Sequence, residues 1–247
     1  MDRLPPFAAL ILAAGKGTRM KADLPKVMLP VGGRPMLAWV VDTARAVGAD
    51  PVVAVVGHMR EVVERAFADS GVRFAVQEEQ RGTGHAVACA EGTLGEVSQV
   101  VVLSGDVPLL PAGLVVRLLD AHRATGAVMT LLTCRVDDAG RYGRIVRDSS
   151  GAIVANVEAK DATPEQLALD EINAGVYVFE TPFLFPALAR LTCDNAGGEY
   201  YLTDLVGLAV ADGLTVTGVV ADDPSVVHGA NTVEELAILD RLMAARR

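Results

Sequence analysis

Four cations, Lys16, Arg19, Lys21 and Lys26, crowd the stretch just behind a short aliphatic run, Ala8 to Ala13, and are interleaved with Gly15 and Gly17. Glycines let a backbone turn with positive φ and come close to a ligand, so successive N–H groups can point at an anion, and the cations add charge. Phosphate is the ligand this combination suits, although solvated lysines around an ordinary strand-to-helix turn have the same letters. Two familiar phosphate loops fail when tested. G-x-G-x-x-G starts at Gly15 and Gly17 but meets Met20 where the third glycine belongs. G-x-x-x-x-G-K-[ST] fails because the one Gly-Lys pair, Gly15 and Lys16, is followed by Gly17. Neither a standard nicotinamide dehydrogenase nor a P-loop kinase is favoured.

Further along, QVVVLSGD, Gln99 to Asp106, reads as the central strand of a sheet and delivers Asp106 to its carboxyl end. There it is either a hard oxygen ligand for a divalent metal or a cap of the turn before Pro108. Asn231 has the same two readings, because Glu234 three residues later completes the pattern of a helix N-cap with a capping box. Gln77 closes the expected third strand, Val72 to Gln77, and Gly82 with Thr83 follows in a small-residue loop, a set that can read a planar base through a side-chain amide and close backbone. The structural alternative is a turn into the next helix. His85 shows no carboxylate partner and reads as a packing or hydrogen-bonding histidine, and His58, His122 and His228 are too scattered to suggest a metal site.

The segment LAAGKGTRM, Leu12 to Met20, followed by Leu24 to Lys26, resembles the signature of sugar-nucleotide pyrophosphorylases and related nucleotidyltransferases. The ordered set QEEQRGTGHA, SGDVPL, YGRI, VEAKDAT, EINAGVY and GEYYLTD is similar to the uridyltransferase domains of bacterial enzymes that make UDP-N-acetylglucosamine, over nearly the whole chain. The resemblance implies that Arg19 and Lys26 act on the triphosphate as catalytic cations. Leu12, Ala13, Ala14, Gly15, Gln77, Gly82 and Thr83 are then expected at the nucleotide, with Ser104 and Gly105 near the ribose. Asp106 and Asn231 are expected to hold Mg²⁺, and Gly143, Glu158 and Asn173 to contact the sugar. Without the resemblance these last three are a turn glycine, an exposed strand carboxylate and a strand-edge asparagine. Ser104, where relatives often carry an aromatic, and Ala159, where a histidine is common, depart from the pattern.

These residues need an α/β scaffold. With 51% hydrophobic and 4% aromatic residues, the 247-residue chain must build its core from Val, Leu, Ile and Ala, as buried parallel sheets do. The order of elements predicts a Rossmann-like nucleotidyltransferase fold: a mostly parallel central sheet flanked by helices, with a mixed β extension for the sugar from Ala127 onward. Helices are predicted over Glu199 to Ala211 and Asn231 to Arg247, and Thr163 and Thr181, each before a proline, as N-caps. Residues 1–230 are expected to form the transferase domain, with 231–247 as a C-terminal helix and no β-helix acetyltransferase domain, since no hexapeptide repeat is present.

A net charge of -9 argues against nonspecific nucleic-acid or anionic-membrane binding. Three distant cysteines, Cys89, Cys134 and Cys193, suggest no disulfide framework, and the apolar N-terminal run is too short to span a bilayer, so a cytoplasmic protein is expected. The expected reaction is Mg²⁺-dependent transfer of UMP from UTP to N-acetylglucosamine 1-phosphate, giving UDP-N-acetylglucosamine and pyrophosphate. The rivals are the same chemistry with another base or sugar phosphate, or a non-catalytic sugar-nucleotide-binding protein. A monomer or weak oligomer is expected.

Overall fold

The computed structural model describes residues 6–15, 17, 20 and 23–246. Eleven strands are found among them: Phe7–Leu12 (β1), Pro30–Val31 (β2), Arg34–Pro35 (β3), Val52–Val56 (β4), Arg73–Val76 (β5), Gln99–Ser104 (β6), Met129–Arg135 (β7), Arg144–Arg147 (β8), Ile153–Val157 (β9), Glu171–Glu180 (β10) and Val216–Ala221 (β11). The main sheet runs β11, β7, β10, β6, β1, β4, β5, with β8 attached to β10 and β9 to β8, while β2 and β3 form a separate small hairpin.

The unbroken aliphatic run of β1 is explained by its place. It pairs in parallel with β4 on one side and β6 on the other. Its alternate side chains feed two cores: Ala9 and Ile11 face one, Ala8 and Leu10 the other. The first core is closed by Met36–Ala46 (α1) and Ala112–Thr125 (α5). Against the second lie Thr83–Ala88 (α3), Thr181–Leu188 (α7) and Leu205–Ala211 (α8). Helices Arg60–Ala66 (α2), Glu91–Leu94 (α4), Pro164–Leu167 (α6) and Val233–Ala245 (α9) complete the set among the described residues. Burial on both faces makes the sheet's rim the place where polar groups can emerge.

Among the seven strands of that order β10 runs against the rest, between β6 and β7. Its first residues therefore reach the same rim as the carboxyl ends of β1, β5 and β6. The expected mostly parallel sheet with a mixed second half is observed, and the GRIVRD and AIVANV segments pair as the β8–β9 hairpin.

Three local expectations are corrected. The helix expected from Glu199 starts only at Leu205, after a 3₁₀ turn over Leu202–Asp204. Residues 199–201 are held outside the helix instead, because the Tyr200 N–H donates to the Arg81 carbonyl and the Gly84 N–H to the Tyr200 carbonyl, each at 2.8 Å. Thr181 is no cap, as its hydroxyl donates to the Val97 carbonyl at 2.6 Å. The last helix starts at Val233, with Thr232 rather than Asn231 as its N-cap. Thr163 and Gln166 do form the expected capping box. Among the described residues no helix is long and apolar enough to cross a membrane.

Candidate functional site

The rim carries a cleft of about 570 Å³, lined by Leu12, Ala13, Ala14, Gly15 and Gly17 after β1, by Lys26, by Gln77, Gln80, Gly82 and Thr83 after β5, by Ser104 and Asp106 after β6, and by Glu199 and Asn231. A second cavity of about 220 Å³ is lined by Gly143, Glu158 and Asn173 and shares Ser104, Asp106 and Asn231 with the first. Residues up to 205 positions apart in sequence thus meet at one junction.

Lys26 sits at that junction. Its ammonium donates to Asp106 Oδ2 and, at 2.9 Å, to Asn231 Oδ1. Lys26 opens a 3₁₀ turn, Lys26–Met28, and the glycine loop folds onto its stem: a Cβ on Gly17 would lie 2.8 Å from Lys26 Cβ. Asn231 reaches Lys26 because the capping role falls to its neighbour. Thr232 Oγ1 accepts the Glu235 N–H at 3.2 Å, and the Asn231 N–H donates to the Glu235 carboxylate, leaving the Asn231 amide oxygen for the cleft. Gly229 gives Asp106 its space, since a Cβ there would come 3.0 Å from Asp106 Oδ2. Two oxygens therefore converge on one cation, and both are hard donors. No group of three or more His, Cys, Asp or Glu with metal-binding geometry occurs among the described residues. A two-oxygen set suits a cation such as Mg²⁺ that keeps waters and substrate phosphates as its other ligands.

Arg19 lies outside the described residues, as do Lys16, Thr18 and Lys21. Gly105 lines neither cavity. Its N–H donates to the Leu12 carbonyl at 2.9 Å, and a Cβ would stand 2.9 Å from that oxygen, so its part is to let β6 end against β1.

At the end of the larger cavity that follows β5, Gln77 is 3% exposed, and its amide nitrogen donates to the Gly82 carbonyl at 3.0 Å. Thr83 Oγ1 accepts the Leu202 N–H at 3.0 Å. At the other end, Thr203 Oγ1 donates to Glu158 Oε1 at 3.0 Å. The segment from Tyr200 to Thr203 thus ties the loop of Gly82 to the wall carrying Glu158. It lies in GEYYLTD, whose letters mark the resemblance yet name no contact, and neither Tyr200 nor Thr203 was legible as a site residue from spacing. Asn173 sits where the β10–β7 register breaks, its Oδ1 accepting the Gly175 N–H at 3.0 Å and its Nδ2 donating to the Tyr177 hydroxyl at 2.6 Å. The bulge needs Gly175, at φ +70°, whose Cβ would meet Ser104 Oγ at 2.9 Å.

Burial holds the Glu158 carboxyl above its usual range, opposed by the Thr203 hydrogen bond and reinforced by the negative charges of Asp204, Asp161 and Glu199. A carboxyl raised on folding adds most stability where it is protonated, and the contribution fades as pH climbs from its unfolded value of 4.5 through the folded one. Glu158→Gln is therefore expected to melt a few degrees above the parent at pH 7, with the gap closing toward pH 4. Melting curves across that range check it, and a variant that melts below the parent at pH 7 removes the burial argument.

Comparison with known proteins is consistent with this geometry. Residues 9–205 match the family described as MobA-like NTP transferase domain. The chain is 51% identical over 241 residues to the bifunctional protein GlmU of Trichlorobacter lovleyi, covering 97% of this chain and 52% of that protein. It is 49% identical over 242 residues to the bifunctional protein GlmU of Geobacter metallireducens, covering 97% and 51%. To the protein of that name from Desulfotalea psychrophila it is 42% identical over 248 residues, covering 100% and 73%. The chain spans about half the length of the first two relatives.

Proposed function

This chain belongs to the family of MobA-like NTP transferase domains, and on that premise we propose that it transfers UMP from UTP to N-acetylglucosamine 1-phosphate with Mg²⁺ as cofactor, releasing pyrophosphate and UDP-N-acetylglucosamine. The observation that carries the reading is the meeting of two cavities at Asp106, Asn231 and Ser104, with the Lys26 ammonium between them. A triphosphate in the larger cavity and a sugar phosphate in the smaller one would place donor and acceptor phosphates at that junction.

In this reading an oxygen of the acceptor phosphate attacks the α-phosphorus, a new P–O bond forms, the bond to the β-phosphate's bridging oxygen breaks, and pyrophosphate leaves with the electron pair. No protein nucleophile is required, so the chain's task is positioning and charge neutralisation. Lys26, in concert with Arg19, stabilises charge on the phosphates, and backbone amides of the Gly15 to Thr18 loop add donors. Asp106 and Asn231 are the residues that would hold Mg²⁺, whose charge offsets that of the triphosphate. Gln77, Gly82 and Thr83 address the base, with Leu12, Ala13, Ala14 and Gly15 along the nucleotide and Ser104 at the ribose. Gly143, Glu158 and Asn173 address the sugar. We place the transferase domain at residues 1–230, followed by the terminal helix Val233–Ala245, acting on small soluble substrates in the cytoplasm without nucleic-acid or membrane partners.

The test is pyrophosphate release from a panel of nucleoside triphosphates and sugar 1-phosphates with Mg²⁺. The expected result is preferred turnover of UTP with N-acetylglucosamine 1-phosphate. Folded protein that turns over another pair better overturns the substrate assignment, and tight product binding without turnover of any pair overturns the enzyme reading.

A further inference from the structure

One histidine at the nucleotide-side end of the cleft has no part in the transfer chemistry. His85 lies in α3, whose entry is fixed by the Gly84 N–H donating to the Tyr200 carbonyl at 2.8 Å and by the Leu202 N–H donating to Thr83 Oγ1 at 3.0 Å. Its Nδ1 is 3.1 Å from Gln77 Nε2, and its Nε2 is 3.8 Å from Cys89 Sγ.

The chemistry of these partners decides the protons. The Gly82 carbonyl can only accept, so the end of the Gln77 amide that meets it at 3.0 Å must be the NH₂ group. That group has two hydrogens. One goes to Gly82, and the other points at His85 Nδ1, which must then be the bare, accepting nitrogen, with the ring proton on Nε2 toward the weakly accepting Cys89 sulfur. With both amide hydrogens engaged, the group that Gln77 can turn to the cleft it lines is its Oε1, an acceptor. A flipped Gln77 would set its oxygen against two acceptors, Gly82 O and His85 Nδ1. The histidine thus supplies half of what holds the amide in one orientation.

We infer that His85 is a positioning residue for base selection: by accepting from Gln77 it fixes an acceptor toward the base, so the cleft takes a pyrimidine whose ring nitrogen carries a hydrogen, as in uracil, over one whose ring nitrogen is bare, as in cytosine. The inference deepens the nucleotide reading of the cleft and rests on it. Two facing acceptors, Gln77 Oε1 and the cytosine ring nitrogen, leave both unpaired, and with Gln77 only 3% exposed that is a strong basis for rejection. An alternative in which His85 only fills space makes a different prediction, because a ring of the same size without an acceptor would then serve equally well.

The experiment measures equilibrium affinity for UTP and for CTP, with Mg²⁺, in the parent, His85→Phe and His85→Asn, together with KM and kcat for UTP. Phenylalanine keeps the ring and removes the acceptor, whereas asparagine can place Oδ1 near where Nδ1 stood. His85→Phe is expected to narrow the UTP-to-CTP affinity ratio about tenfold, the effect of one oriented hydrogen bond. KM for UTP rises, and kcat at saturating UTP stays within about twofold, the mark of lost ground-state binding. His85→Asn is expected to restore most of the ratio. A folded His85→Phe with the parent's ratio overturns the inference, as does a folded His85→Asn that fails to restore it. Should the phenyl ring destabilise α3, His85→Met gives the same readout with a flexible apolar side chain. A parent that prefers UTP in binding yet transfers nothing sinks the functional reading and leaves the ratio as the test. A parent that binds neither triphosphate sinks both.

Discussion

Asp106→Asn is expected to lower kcat by about 10³-fold, the scale of removing a preorganised charge at a reacting phosphate, while the melting temperature stays within a few degrees of the parent. The substitution keeps shape and one oxygen, so Lys26 retains a hydrogen-bond partner in addition to Asn231 Oδ1. What disappears is the carboxylate charge at the junction of the two cavities. Stability changes little because the asparagine oxygen still accepts from the Lys26 ammonium and the bond to Asn231 Oδ1 is kept. Steady-state pyrophosphate release across a Mg²⁺ series measures the first effect, and Mn²⁺ binding followed by its paramagnetic signal measures metal affinity apart from turnover. A variant with the parent's kcat and metal dependence would take Asp106 out of the metal site.

Gly82→Ala should cost about 3 kcal/mol of stability, or a fall in melting temperature of roughly 6–12 °C, and raise the nucleotide KM at least tenfold. Gly82 has φ +110°, and a Cβ there would stand 2.6 Å from the Tyr200 carbonyl oxygen and 2.8 Å from its nitrogen. Backbone atoms cannot step aside as the tip of a side chain can. Both Tyr200 groups are engaged with the loop, through Arg81 and Gly84. Pushing them back opens the clasp that holds Thr83 to Leu202 and, one residue on, Thr203 to Glu158. Gly33→Ala is the control. Its φ is +79° with nothing within 4 Å of the added carbon, so it carries the backbone strain without the collision. If both variants lose the same stability, the clasp is not what requires Gly82.

The scaffold was legible because its signals are local. An aliphatic run with no polar interruption, as in β1 and β6, has few homes other than a strand covered on both faces, and the loop after such a strand must face the rim. Gln77 and Asp106 could accordingly be placed at strand ends from their own neighbourhoods. Capping chemistry misled where two readings shared the same letters. Asn231 with Glu234 has the spacing of a capping box, yet Thr232 with Glu235 has it too, one residue later, and packing of Leu239 and Met243 against Val31 and Met36 goes with the second register. Thr181 was misplaced for a related reason, since the carbonyl its hydroxyl found belongs to the loop before β6.

By itself the amino-acid order determined the kind of sheet, the positions at which its strands open onto solvent and the cation-rich glycine loop behind the first of them, because burial and backbone freedom act over a few neighbouring residues. Only the folded chain decided that Lys26, Asp106 and Asn231 share one point and that Tyr200 to Thr203 fasten the two cavities together. Those are contacts between segments far apart in sequence, and their geometry depends on how strands and helices stack, which no local spacing encodes.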